Sequence, residues 1–126
     1  MSLIIAVDFD GTCVTHEYPW IGRDIGAVPI LRRLNLKGHR IILYTMRSDE
    51  HLNKAVQWFE ENKILLWAVN GNPEQGTWTL SPKVYANLYI DDAALGAPLT
   101  RSGQVGERPY IDWPQVEADL IRRGVL

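Results

Sequence analysis

The chain has 126 residues, a length typical of one domain built around one core. Its hydrophobic fraction of 46% and charged fraction of 22% exclude a disordered, collagen-like or coiled-coil protein. The net charge of −2 provides no long-range attraction for a polyanion, so nucleic acid is not a favoured partner. A single cysteine, Cys13, excludes an intramolecular disulfide and a cysteine-based zinc site.

The apolar stretches are all of strand length, far short of the ~20 residues that cross a bilayer. We therefore expect no membrane span. Residues 1–8 lack a basic flank and already include Asp8, which is not the pattern of a secretory signal. These features predict one cytoplasmic domain over residues 1–126.

The first predicted elements are a buried strand and a helix. Residues 3–7 are apolar without alternation, as in a parallel strand covered on both faces. Residues 13–26 show no period, which predicts a loop. From Val28 to Leu34 apolar residues recur at helical spacing, and Gly38 follows as a C-terminal stop.

A second strand and helix follow directly. Residues 40–44, which are apolar from Ile41 onward, predict a second buried strand, and Ser48 is suited to begin a helix. That helix has an apolar stripe at positions i, i+3, i+4 and i+7. The stripe consists of Leu52, Ala55, Val56 and Phe59.

The remaining elements alternate in the same way. Residues 64–69 predict a third strand, residues 70–82 a loop rich in Gly, Pro and Asn, and residues 88–90 a short fourth strand. Asp112, followed by Pro114 in the first turn, is typical of the start of a last helix.

Strands that alternate with helices indicate an α/β protein with right-handed crossovers. We predict a three-layer Rossmann-like fold, with a central parallel sheet and helices on both sides. Ligands in such folds bind at the carboxyl ends of the strands. The polar residues after the four strands are Asp8, Asp10, Gly11 and Thr12; Thr45 and Arg47; Asn70; and Asp91 and Asp92.

Four carboxylates at one edge, those of Asp8, Asp10, Asp91 and Asp92, would repel one another strongly. A bound cation removes that repulsion. Oxygen ligands without nearby His or Cys suit Mg²⁺, and the histidines at 16, 39 and 51 lack the spacing of a transition-metal site. The sequence therefore predicts Mg²⁺ as cofactor.

The spacing of Asp8 and Asp10 predicts phosphoryl chemistry. On a regular strand they share a face, about 6–7 Å apart, and so can flank one reacting group. Asp8 is suited to attack phosphorus, and Asp10 to protonate the leaving oxygen and later deprotonate water. Gly11 permits a tight turn. Thr45 and Lys83 offer a hydroxyl and a positive charge to the phosphoryl oxygens.

These segments resemble the four motifs of the haloacid dehalogenase superfamily, in order, over residues 3–92. The resemblance implies a Mg²⁺-dependent phosphomonoester hydrolase that forms an aspartyl-phosphate. It assigns roles to the following residues: Asp8 as nucleophile and metal ligand; Asp10 as acid–base, with its carbonyl on the metal; Thr45 and Lys83 on phosphate; Asp91 on the metal; and Asp92 on the metal directly or through water. Gly11, Thr12 and Arg47 are candidate substrate-binding residues, although a solvent-facing Arg47 fits equally well.

Members of this superfamily usually carry a cap over the site. Here the intervals 13–44 and 46–82 are largely consumed by one strand and one helix each, so we expect no large cap. Such an open site implies a bulky substrate, a neighbouring subunit that acts as a lid, or residues 13–27 and 70–82 as small flaps, and we favour the subunit or the flaps. The substrate remains open among a nucleotide, a sugar phosphate and a phosphorylated macromolecule.

Two alternatives remain. A receiver-like phospho-acceptor domain shares the size and an Asp, Thr and Lys set, but it places its acceptor after the third strand, where this chain has Asn70. A non-catalytic module that binds a phosphorylated ligand would not need the full set of acids. Trp20 and Trp78 lie in polar loops, where packing or a subunit contact is favoured over stacking on a base or sugar.

Overall fold

A computed structural model describes residues 1–100 and 107–126. The elements, in chain order, are β1 (Ile4–Val7), α1 (Ala27–Leu36), β2 (Arg40–Leu43), α2 (Asp49–Glu61), β3 (Ala68–Val69), a 3-10 helix (Gln75–Thr77), β4 (Leu88–Ile90) and α3 (Trp113–Arg122). None of the helices in the described ranges is long and apolar enough to cross a membrane.

The four strands form one parallel sheet in the order β3-β2-β1-β4. Val7, the last residue of β1, lies opposite the last residues of its two neighbours, Leu43 and Ile90. The strands therefore end level with one another, and the residues that follow them meet at one edge. This architecture confirms the predicted α/β, Rossmann-like fold.

The two faces of the sheet are covered differently. Ile5 and Val7 point into a core shared with all three α-helices, whereas Ile4 and Ala6 face Val84 and the segment between β3 and β4. The strand order explains this division. Across the sheet, the chain runs from β1 through β2 to β3 and then returns past β1 to β4. Right-handed crossovers therefore place the connection between β3 and β4 on the face opposite the two earlier connections.

The sequence predicted helices on both faces, but the layer on that opposite face is a loop segment whose helical part is the short 3-10 helix. It is ordered by the buried side chain of Gln75. The Gln75 amide nitrogen donates to the carbonyls of Ser81 at 3.0 Å and Lys83 at 2.8 Å, and its oxygen accepts from the Tyr85 amide at 2.8 Å. One side chain thus provides bonds that backbone groups would provide in an α-helix.

The predicted helix boundaries hold, but the third strand is shorter than predicted. Gly38 ends α1 with a φ of 85°, and the Asp112 side chain caps α3 by accepting from the Gln115 amide at 3.2 Å. Of residues 64–69, β3 contains Ala68–Val69. Ile64 instead closes the end of α2, because its amide donates to the Phe59 carbonyl at 2.9 Å and its side chain is buried in the core.

The loop after β1 is held by the segment before α3 and by Trp113, the first residue of α3. The buried Trp113 indole donates to the Thr12 carbonyl at 2.7 Å, and the Ile111 amide donates to the Gly11 carbonyl at 3.0 Å. The far end of the chain therefore fixes the position of the residues that carry the candidate chemistry.

Replacing Trp113 by Phe keeps an aromatic ring in the core but removes this donor. We expect the free energy of unfolding to fall by about 1–3 kcal/mol, and by about 3–5 kcal/mol for Trp113→Ala. Urea unfolding measures both. Trp78→Ala, at a side chain that is 64% exposed, is the control and should change stability by at most about 0.5 kcal/mol. Equal effects of the two alanine variants would contradict the assignment.

Candidate active site

A cavity of about 730 Å³ opens at the carboxyl edge of the sheet. Its walls come from the ends of β1, β2 and β4, from the loop after β1, and from the segment before α3. The lining residues are Asp8, Asp10, His16, Tyr18, Thr45, Met46, Arg47, Asp91, Asp92, Ala93 and Arg108.

Three of the predicted acids form a cluster in this cavity. Asp8, Asp91 and Asp92 each place a carboxylate oxygen within 4.8 Å of the other two. Burial and the neighbouring Asp91, with a smaller contribution from Asp92, raise the pKa of Asp8 to about 8. Uncompensated negative charge and hard oxygen donors are the conditions that a divalent cation such as Mg²⁺ requires, so these residues fit the predicted metal.

Thr12 connects two of the acids. Its hydroxyl oxygen lies 3.2 Å from Oδ2 of Asp8 and 3.3 Å from Oδ1 of Asp92, and it accepts from the Asp92 amide at 3.1 Å. A hydroxyl has one hydrogen to donate, so the two carboxylates compete for it. Thr12 is fully buried and is absent from the cavity wall, where it was predicted to bind substrate. Its contacts orient the acids.

Cys13 packs beneath the same loop. Its thiol lies 3.3 Å from the carbonyl oxygen of Asp8, and burial followed by the nearby Asp8 raises the pKa of the thiol. A buried, protonated thiol is a poor nucleophile. Cys13 is therefore a packing residue.

Gly11 makes room for a histidine. Its φ is 79°, and a Cβ at this position would lie 2.1 Å from Cε1 of His16. The His16 ring thereby reaches Asp92, with Nε2 at 3.1 Å from Oδ2, and also Pro109, whose carbonyl oxygen is 3.2 Å from Nε2. The Gly11 amide donates to the Val14 carbonyl at 2.8 Å and so is not available to a phosphate, although Gly11 was predicted to bind substrate.

Asp10 is held by Arg47. Nε of Arg47 donates to Oδ2 of Asp10 at 2.8 Å, and Nη2 donates to Oδ1 at 2.7 Å, which is the bidentate geometry of a strong ion pair. The Asp10 carboxylate lies outside the cluster of three acids. Metal ligation by the Asp10 carbonyl stays a prediction.

The Arg47 guanidinium has no N–H group left for a ligand. Beyond Asp10, it donates to the carbonyls of Pro19 at 3.3 Å, Trp20 at 2.8 Å and His51 at 3.2 Å, which accounts for its five donors. Its side chain is completely buried. Arg47, predicted either to contact substrate or to face solvent, instead ties Asp10 to the loop after β1.

Thr45 lies where the sequence predicts. Its amide donates to the side chain of Asn70 at 2.8 Å, and its hydroxyl oxygen accepts from the Arg47 amide at 3.1 Å. The hydroxyl hydrogen remains available to a ligand in the cavity. Asn70, which the sequence placed only at the end of a strand, thus positions Thr45.

Lys83 is not a lining residue of the cavity. It is exposed, and its Nζ lies 5.6 Å from the ring centroid of Tyr89. Among the described residues, the cations that line the cavity are Arg47 and Arg108. Arg108 was missed because it follows all four motifs, and His16 and Tyr18 because their loop has no periodic pattern.

Fold and site together define a Rossmann-like α/β protein with an acidic cavity at the carboxyl edge of its sheet. The chain is similar to the solved structure of a conserved protein from Bacteroides thetaiotaomicron, with a TM-score of 0.73 and 36% sequence identity over 98% of this chain and 93% of that chain. The two proteins therefore belong to one family. No protein-family model and no curated protein matches the sequence.

The raised pKa of Asp8 predicts how stability depends on pH. Without metal, the folded protein keeps a proton on Asp8 up to about pH 8, whereas the unfolded chain loses it near the ordinary value of 3.8. Between these values the free energy of unfolding falls as pH rises, by at most about 1.4 kcal/mol per pH unit. Urea unfolding at several pH values gives the slope of the free energy of unfolding against pH. This slope should be steeper for the wild type than for Asp8→Asn.

Mg²⁺ should offset that loss at pH 8 in the wild type, because a cation stabilises the ionised cluster. Glu60→Gln, at an exposed acid on α2, should keep the wild-type slope. A wild-type slope equal to that of Asp8→Asn would show that the Asp8 carboxyl is not perturbed.

Proposed function

We propose that the chain is a Mg²⁺-dependent phosphomonoester hydrolase that works through an aspartyl-phosphate on Asp8, as its resemblance to the haloacid dehalogenase superfamily implies. The observation that carries the proposal is the meeting of Asp8, Asp91 and Asp92 within 4.8 Å, beside a separately held Asp10. The cluster of three acids is suited to hold a cation, and Asp10 is suited to transfer protons.

Asp8, Asp91 and Asp92 would hold the Mg²⁺, which when bound neutralises charge on the phosphoryl oxygens. An oxygen of Asp8 attacks phosphorus, the ester P–O bond breaks, and Asp10 gives a proton to the leaving alkoxide. Water then attacks the phosphorus of the aspartyl-phosphate, Asp10 takes the water's proton, and the bond from phosphorus to Asp8 breaks. Inorganic phosphate is released, the Asp8 carboxylate is free again and Asp10 has regained its proton.

The contact with Arg47 is compatible with this role for Asp10. Each carboxylate oxygen has two lone pairs, and Arg47 donates one hydrogen bond to each oxygen. The second lone pair of either oxygen can hold the proton that Asp10 gives to the leaving alkoxide and then regains from water. The fixed plane of the carboxylate also keeps it aimed at one position.

We assign the phosphoryl oxygens to the Thr45 hydroxyl and Arg108. A phosphate dianion adds negative charge to a site that already holds three acids, so a cation beside it lowers the cost of binding and of the transition state. Arg108 lines the cavity and Lys83 does not. In this proposal Arg108 takes the place that the sequence resemblance gives to Lys83.

One observation favours a second candidate, a receiver-like phospho-acceptor domain. Both oxygens of Asp10 are bonded to a buried guanidinium. If that pair kept Asp10 from proton transfer, phosphorylated Asp8 would persist because no base would activate water. The two candidates differ in whether the phosphorylated protein turns over.

We expect the protein to hydrolyse p-nitrophenyl phosphate with Mg²⁺ and to lose this activity with EDTA. Asp8→Asn should reduce kcat by about 10³-fold or more, because the nucleophile is lost, and Glu60→Gln should retain full activity. Release of p-nitrophenolate is measured by absorbance. One stoichiometric burst followed by a stable phosphoprotein would favour the receiver-like candidate, and no reaction with any variant would contradict both.

Arg108→Gln tests the assignment of the phosphate-binding cation. We expect the KM for p-nitrophenyl phosphate to rise about tenfold or more, since a charge-assisted contact with phosphate is lost. Lys83→Gln is the matched control and should leave both KM and kcat within about twofold. The reverse pattern, with Lys83→Gln impaired and Arg108→Gln unaffected, would reject Arg108 in favour of Lys83.

A further inference from the structure

We infer that Tyr18 is the surface on which the leaving group lies, and that the substrates are phosphomonoesters whose alcohol carries a flat aromatic ring. This inference rests on the proposed function and narrows its substrate class. Tyr18 lines the cavity and is 59% exposed, so its ring is accessible to a ligand.

The Tyr18 ring is held in place. The Arg47 guanidinium carbon lies 5.1 Å from the Tyr18 ring centroid, and the His51 ring meets the Tyr18 ring edge-on with a centroid distance of 5.4 Å. The next two residues are fixed through their carbonyls, which accept from Arg47. A fixed aromatic ring can bind a flat group with little loss of conformational entropy.

The ring also lies close to the proton-transfer group. Arg47 bonds to both oxygens of Asp10 and contacts Tyr18, which places the ring centre within roughly 9 Å of those oxygens by ordinary hydrogen-bond lengths. Asp10 is the residue proposed to protonate the leaving oxygen. The part of the alcohol beyond that oxygen can therefore reach the Tyr18 ring.

The wall of the cavity also carries the apolar side chain of Met46. Met46 follows Thr45, lines the same cavity and is 97% exposed. A thioether adapts its shape to an aromatic ring but offers no hydrogen-bond donor. A sugar would need several donors and acceptors along this wall, whereas an aromatic ring needs none. The wall of Tyr18 and Met46 thus favours an aromatic alcohol over a polyhydroxylated one.

Two matched pairs of substrates test this class. Benzyl phosphate and cyclohexylmethyl phosphate share a primary carbon on the ester oxygen and differ in ring flatness, and a nucleoside 5′-monophosphate and ribose 5-phosphate differ in the base. We expect kcat/KM to favour the aromatic member of at least one pair by tenfold or more. The pair that shows the preference reports how far the ring lies from the ester.

Variants connect the preference to Tyr18. Tyr18→Ala should reduce the ratio of kcat/KM values to within about twofold of unity, and Tyr18→Phe should keep it because the ring remains. Tyr85→Ala, at a tyrosine that is 41% exposed and is not a lining residue of the cavity, should keep the wild-type ratio. A ratio near unity in the wild type, or one that Tyr18→Ala leaves intact, overturns the inference.

Binding provides a readout that does not need turnover. Calorimetric titration of the Asp8→Asn protein with the same two pairs, in Mg²⁺, should show at least tenfold tighter binding of an aromatic member, and loss of that difference in Asp8→Asn/Tyr18→Ala. Equal binding within both pairs overturns the aromatic class. Lack of turnover of every ester by the wild type would instead reject the hydrolase, so the two failures are distinguishable.

Discussion

The crowding of three carboxylates at the ends of β1 and β4 is the constraint on which the rest of the site depends. Level strand ends bring Asp8, Asp91 and Asp92 together, and their burial raises the pKa of Asp8 to about 8. The surrounding structure is arranged to tolerate this charge. Thr12 and His16 each bond to the acids, and Gly11 is the residue that lets His16 approach.

Arg47 separates the fourth acid from that cluster. A complete set of hydrogen bonds on a buried guanidinium is costly to break, since any donor left unpaired would stay desolvated. Asp10 and the loop around Tyr18 are therefore held in one arrangement by a single side chain. In the proposed reaction, this keeps the distance and orientation between Asp10, the proton-transfer group, and Tyr18, the surface for the leaving group, constant.

Much of the fold could be predicted because hydrophobic periodicity reports burial directly. The strand ends at Val7 and Ile90 coincide with changes from apolar to polar sequence, and edge geometry then brings Asp8 and Asp91 together. The third strand was predicted too long because an apolar run does not distinguish a strand from a buried connection, which is what Ile64 forms. The single-domain prediction for residues 1–126 rests on length alone.

The side-chain partners in the site were less predictable. Arg47 pairs with a residue 37 positions away in the sequence, and Arg108 reaches the cavity from beyond all the motifs. Local patterns contain no information on such contacts, which depend on the path of the loops. Lys83 is the opposite case. Its position in the order of the motifs predicts a site residue, but its segment covers the face of the sheet opposite the α-helices.

The Gln75 side chain has a consequence for how this molecule can come apart. With three of the covering segment's bonds on one amide group, local opening there needs no α-helix to unwind. Such an opening would uncover Ile4, Ala6 and Ile42 on the sheet while the helical face stays packed. We therefore expect amide exchange, proteolysis and self-association to begin on the face that carries no α-helix.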